Sequence, residues 1–169
     1  MIDPQLVTAI NNQVNQEYAA SYSYLQMSAY FEAENLDGFA HWMYLQHQEE
    51  QVHGYKLITY LHDRGGKLEL ESIAKPKLEF SSTLDAFKIA LSYEQENTLA
   101  INNLYALAKE LNDYATQSHL QWFIDEQVEE EKSIEDIITI LEKVGSDVTG
   151  MLYLNDKLAA RQAEAPAAE

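Results

Sequence analysis

Apolar residues recur every three to four positions over most of the chain, the spacing of one buried helix face. The first such run opens at Asp3-Pro4, an N-cap followed by proline at the first helical position, and continues to about Glu34. Asn35 to Gly38 reads as a short turn. A second run extends from about Phe39 to Arg64 and stops at Gly65-Gly66. A third begins at Ser82 or Thr83 and reaches about Leu111; Asn112 to Tyr114 turns into a fourth that ends near Gly145. A shorter segment, roughly Val148 to Leu158, is apolar on one side. Residues 67–81 alternate apolar and polar, contain Pro76 and show no helical period. The pattern predicts an all-α chain with one domain over residues 1–160. Its architecture is a four-helix bundle with a long crossover between helices 2 and 3 and a short fifth C-terminal helix. The tail, 161–169, is expected to be disordered.

The core stripes carry an anomaly. Helix 1 reads Ile10, Val14, Glu17, Ser21, Tyr24, Ser28, and helix 2 reads Phe39, Met43, Gln46, Glu50, His53, Leu57, Tyr60. Helix 3 reads Phe87, Leu91, Glu94, Ile101, Tyr105, and helix 4 reads Leu120, Phe123, Gln127, Glu130, Ile134, Ile137, Leu141. Each stripe is broken near its middle by an acid. The spacing repeats, because 33 residues separate Glu17 from Glu50 and 33 separate Glu94 from Gln127. One inward acid on a traced stripe is usually solvated, and a lone His53 is more often a hydrogen-bonded structural residue. Four acids meeting at one level would cost several kcal/mol each if uncompensated. No Lys or Arg lies on the stripes at that level, so protons or metal cations must neutralise them.

Composition narrows the chemistry. The absence of cysteine removes disulfides, thiolate metal sites and iron–sulfur clusters. A formal net charge of -17 argues against nucleic acid and anionic membranes as partners. No stretch approaches a membrane span and the N-terminus has no signal-peptide pattern, so a cytoplasmic protein is expected. A ligand set rich in carboxylate, with one imidazole and no thiolate, disfavours structural zinc and suits iron or manganese, with Glu50 able to bridge two ions.

The stretches NQEYAASYSYLQMS, HQEEQVHGYKL, YEQEN and LQWFIDEQVEEE resemble the bacterial non-haem ferritins, over residues 1 to about 160. The same di-iron constellation in ferritin-like bundles is a standard worked example of bundle-core chemistry, so the pattern is identified by likeness. The resemblance implies a ferroxidase that oxidises Fe2+ to Fe3+ with dioxygen or peroxide and stores ferric oxyhydroxide in a homo-oligomeric shell of 24 subunits. It implies one iron site at Glu17, Glu50 and His53 and a second at Glu50, Glu94 and Glu130, with Gln127 close by. Tyr24, two turns beyond Glu17, matches the family's site tyrosine, and Trp122 is a second candidate electron source or a packing residue. Glu49, Glu126 and Glu129, with Glu130 shared, match a third iron site in similar bacterial proteins, although the run DEQVEEEK alone also fits a solvated face. Bacterioferritins place a haem-ligating Met where this chain has Gln51, so no haem is expected. At positions matching the acidic channel of animal ferritins stand Gln117 and Leu120, so the likeness does not extend to that route.

Two rival readings stay open on the residues alone. One is a non-cage di-iron oxidase acting on a small organic substrate, which needs an apolar pocket beside the metals. The other is a metal-free helical interaction bundle.

Overall fold

The computed structural model describes residues 2–163. Five helices carry the chain: α1 (Pro4–Ala33), α2 (Asp37–Asp63), α3 (Thr83–Glu110), α4 (Tyr114–Val144) and α5 (Val148–Ala159). Of the tail expected to be disordered, residues 164–169 lie outside the described residues; 161–163 follow α5 without helix.

Each long helix begins and ends for local reasons. The Asp3 carboxylate accepts from the Gln5 backbone N–H at 2.8 Å, and Pro4 occupies the first turn, where its missing N–H costs nothing. Ser82 caps α3 through the Asp85 N–H at 3.0 Å, while Asp85 reaches back to the Ser81 N–H at 2.9 Å. Asp113 caps α4 through the Thr116 N–H at 2.9 Å. The four turns that follow α1 to α4 each place one residue at positive φ: Asn35, Gly65, Asn112 and Gly145.

One boundary differs from the sequence pattern. Helix α2 starts at Asp37, so Asp37 and Gly38 belong to its first turn rather than to the loop. The reason is a contact with α5. The Gly38 N–H donates to the Asn155 Oδ1 at 2.9 Å, and a Cβ on Gly38 would stand 1.8 Å from the Asn155 carbonyl oxygen. The glycine permits two backbones to touch; it does not make a turn.

The crossover runs the length of α1. Near the N-terminal end, Asn11 donates to the Lys67 carbonyl at 2.9 Å and accepts from the Glu69 N–H at 2.7 Å. One turn on, Asn15 does the same for the Glu69 carbonyl at 3.0 Å and the Glu71 N–H at 2.8 Å. Two amides at i and i+4 thus stand in for the neighbouring strand that an extended backbone would otherwise need. Near the other end of α1, Tyr30 packs edge-on against Phe80 at 4.9 Å. Helix α3 therefore starts beside the end of α1 and runs in the same direction as α2.

The packed interior has two apolar parts. One gathers Phe31, Phe39, Trp42, Met43, Phe87, Ile134 and Leu141 with Leu154 and Leu158 of α5. The other gathers Leu6, Ile10, Val14, Leu57, Leu61, Ile101, Leu104, Leu120 and Phe123. Between them lies a buried polar waist of Gln13, Glu17, Gln46, Glu50, His53, Glu94, Asn97, Gln127 and Glu130. Three residues assigned to the stripes, Tyr60, Leu91 and Tyr105, are only half-buried; on α3 the core positions are Ala90, Asn97, Leu104 and Ala108. No helix among the described residues is long and apolar enough to cross a membrane.

Candidate metal centre

The waist is where the inward acids of the four long helices meet. Glu17 and Glu50 are 0% exposed, Glu94 is 1% and Glu130 is 5%. Steps of three and four residues place them on the inner faces, and the apolar plugs above and below exclude water. Ligand atoms of Glu17, Glu50 and His53 all lie within 4.8 Å of one another, and so do those of His53, Glu126 and Glu130.

The acids are held unequally. On Glu17, Gln13 Nε2 donates to Oε1 at 2.8 Å and Asn97 Nδ2 to Oε2 at 3.1 Å. Gln13 also donates to Asn97 Oδ1 at 2.6 Å, which locks the three together. Glu94 accepts from the Tyr24 hydroxyl and from Gln127 Nε2, the latter at 3.3 Å. Glu130 accepts from Gln46 Nε2 at 2.6 Å. No amide, hydroxyl or guanidinium reaches either oxygen of Glu50, which faces His53 Nδ1 at 3.5 Å and the carboxylates of Glu94, Glu17 and Glu130. In a dry interior such an acid must either hold a proton or meet a cation.

Electrostatics follow that geometry. Burial, then the neighbouring carboxylates, pushes the Glu50 carboxyl well above the usual range. Glu130 rises likewise through burial and Glu94, partly offset by Gln46 and Arg161. Burial pushes Glu94 up to about 7, against the pull of its hydrogen bonds from Tyr24 and Gln127. The Tyr24 phenol is raised well above its ordinary value by burial and by Glu94, Glu50 and Glu130, so it remains a donor. Without a cation, the waist therefore carries protons at neutral pH. A metal ion would displace them and find hard oxygen ligands plus one imidazole, a donor set that suits iron.

The outer acids behave differently. Glu49 and Glu126 are half-buried and Glu129 is exposed. Glu126 joins His53 and Glu130, whereas Glu129 and Glu49 belong to neither three-ligand group. Glu49 instead pairs with Arg161, Nη2 to Oε2 at 2.7 Å. Trp122 stands edge-on to the His53 ring at 5.4 Å, with the Lys56 ammonium over its own ring at 4.3 Å.

Sequence reasoning missed Gln13, Asn97 and Arg161. The first two carry a readable signal, since Gln13 lies four residues before Glu17 and Asn97 three after Glu94, on the same helical faces. Arg161 carries none, because only the docking of α5 brings it to the site.

Comparison with known proteins bears on this constellation. A family model described as "Ferritin-like domain" matches residues 7–144. The chain is 42% identical over 161 residues to a bacterial non-heme ferritin of Staphylococcus aureus, covering 95% of this chain and 97% of that one. The corresponding protein of Staphylococcus epidermidis is 44% identical over 161 residues, with the same coverage. Among solved structures, an open pore ferritin from the hyperthermophilic archaeon Archaeoglobus fulgidus superposes with a TM-score of 0.95 at 38% identity, covering 96% of this chain and 100% of that one. A humanized archaeal ferritin gives 0.96 at 39%, covering 98% and 100%.

Proposed function

The chain belongs to the ferritin family, and from that premise we propose that it is an iron-storage ferroxidase. Fe2+ is its substrate and ferric oxyhydroxide its stored product, held inside a closed shell of 24 copies. The observation that carries the reading is the buried waist itself: four helices turn carboxylates to one level, and Glu17, Glu50 and His53 stand within 4.8 Å of one another.

In this reading Glu17, Glu50 and His53 take one Fe2+, and Glu50, Glu94 and Glu130 take the second. Glu50, held by no amide, hydroxyl or guanidinium, is the acid placed to bridge. Gln127 steadies Glu94, and the Tyr24 hydroxyl holds the other oxygen of the same acid. Two Fe2+ give up one electron each to dioxygen, which takes up two protons: 2 Fe2+ + O2 + 2 H+ → 2 Fe3+ + H2O2. The protons that Glu50 and Glu94 lose when iron binds leave these carboxylates fully anionic. That density stabilises Fe3+ over Fe2+ and helps the electrons leave. Fe3+ then passes by Glu126 and Glu129 into the shell, where it mineralises.

The rival, a di-iron oxidase for an organic substrate, needs an apolar pocket opening on the acids. The cavity of about 420 Å³ between α1, α3 and the crossover reaches Asn97 and the one of about 380 Å³ beneath α5 reaches Arg161, but neither is lined by Glu17, Glu50, Glu94 or Glu130. The test is to mix metal-free protein with Fe2+ in air while following ferric absorbance, and to weigh the native assembly. Rapid oxidation by a particle of 24 copies with an electron-dense core is expected. A monomer or dimer, or oxidation no faster than in buffer, rules the reading out.

A further inference from the structure

Arg161 is fixed more firmly than its place just beyond α5 requires. Its N–H donates to the Leu158 carbonyl at 3.1 Å, and its own carbonyl meets His41 Nε2 at 2.9 Å. Its guanidinium lies 4.8 Å from the centre of the Trp42 ring. Nη2 sits 2.7 Å from Glu49 Oε2, while Nη1 donates to Gln46 Oε1. Gln46 in turn donates from Nε2 to Glu130 Oε2 at 2.6 Å. One planar fork therefore touches an outer acid directly and an inner acid through a single amide. The chain has only two arginines, Arg64 and Arg161, and this one is spent beside the waist.

We propose that Arg161 is a positioning residue that fills, with its own charge, the place a cation would take at Glu49, and that through Gln46 it sets the reach of Glu130. The inference rests on the reading of the buried acids as an iron centre. A guanidinium and a metal ion cannot both sit on the same carboxylate oxygen. An ion that takes Glu49 Oε2 must displace the fork, and displacing it frees the Gln46 carbonyl that orients the amide toward Glu130. Occupancy of Glu49 Oε2 is then conditional on Arg161 lifting away. The same undocking loosens one ligand of the inner pair, so arrival outside and release inside are tied through one residue.

Calorimetric titration of the assembled, metal-free protein with Zn2+, a redox-inert probe, tests this without any turnover. Parent, R161Q, R161K and the double variant R161Q/E49Q are compared at one pH, after circular dichroism shows equal helicity. R161Q is expected to bind one more Zn2+ per subunit than the parent, or to bind its weakest Zn2+ about tenfold more tightly. R161K keeps the charge but loses the fork, and should fall between the two. Adding E49Q should cancel the gain. An R161Q titration that matches the parent in number and affinity would overturn the proposal, as would a gain that survives E49Q. If R161Q does not assemble, R161K decides: tighter outer binding than the parent supports the proposal, and none sinks it. A parent that binds no Zn2+ at all would instead defeat the metal-centre reading, and the role of Arg161 with it.

Discussion

Two carboxylate sites in this bundle have opposite fates. Where the α3–α4 turn meets the end of α2, Asp113 takes both prongs of Arg64, at 3.0 and 2.7 Å, and caps α4 as well. The hydrogen bonds from Arg64, aided by Thr116, hold its carboxyl down to about 2. At the waist, burial pushes Glu94 up to about 7, and burial with neighbouring carboxylates raises Glu50 and Glu130 well above the usual range. The acids are chemically alike; what differs is whether the chain supplies its own cation. Asp113 is complete as folded. The waist is arranged so that its charge must be supplied from outside.

The sharpest way to break that contrast is to remove the waist's shared ligands. Glu50→Ala with His53→Ala should slow iron oxidation by more than about 100-fold, measured by ferric absorbance under air. Unchanged oxidation would place the chemistry elsewhere.

Glu94→Gln should act in the opposite direction on the empty protein. Removing a carboxyl that burial disfavours is expected to raise metal-free stability at pH 8 by about 1–3 kcal/mol, read by chemical denaturation, while weakening metal binding. A destabilised metal-free variant would mean that Glu94 is already satisfied.

The pH dependence follows from the same pair. A carboxyl whose folded value is raised favours the native state at low pH, and that favour is lost as pH rises from the unfolded value near 4.5 through about 7. Asp113, with its value lowered, contributes above 3.8 and loses its contribution as pH falls towards 2. Metal-free protein should therefore melt at a higher temperature at pH 5 than at pH 8, and fall again below pH 3. Saturating Zn2+ should flatten or reverse the upper limb. A metal-free melting temperature that rises from pH 5 to pH 8 would contradict the assignment.

Asp113→Ala should cost about 2 kcal/mol, since Arg64 and the α4 cap both lose their partner in a half-exposed setting. Zn2+ stoichiometry at the waist should not change. The smallest effect is expected for Asn97→Ala, which frees one oxygen of Glu17. Metal affinity should fall about tenfold with little change in fold stability. A collapse of stability there would make Asn97 a structural residue first.

Much of this architecture was legible because its punctuation is local. Gly65-Gly66, Asn112-Asp113 and Gly145 stop helices through backbone conformations that few residues adopt, and a proline or a capping side chain starts them. The inward acids were legible for a different reason, as charges at positions where periodicity demands apolar groups. What escaped was carried by residues with no hydropathy of their own. Ala90 and Ala108 fill the core of α3 where Leu91 and Tyr105 look better on a hydrophobic scale. Gly38 reads as a turn until Asn155 is seen against it. Asn11 and Asn15 lie on none of the traced stripes, yet they pin the crossover. Arg161 belongs to none of the stripes and reaches the waist by tertiary docking alone.

The two apolar plugs also decide which way anything can travel. Leu57, Ile101, Leu120 and Phe123 close the bundle axis on one side of the waist, and Met43, Phe87 and Ile134 close it on the other. An ion or a proton moving along that axis would cross several turns of hydrocarbon, a route with the resistance of a lipid interior. Traffic must instead run sideways, through the gaps between neighbouring helices. The bundle works as an insulated washer: sealed along its length, conducting only across its width, and open wherever a side chain such as Arg161 steps aside.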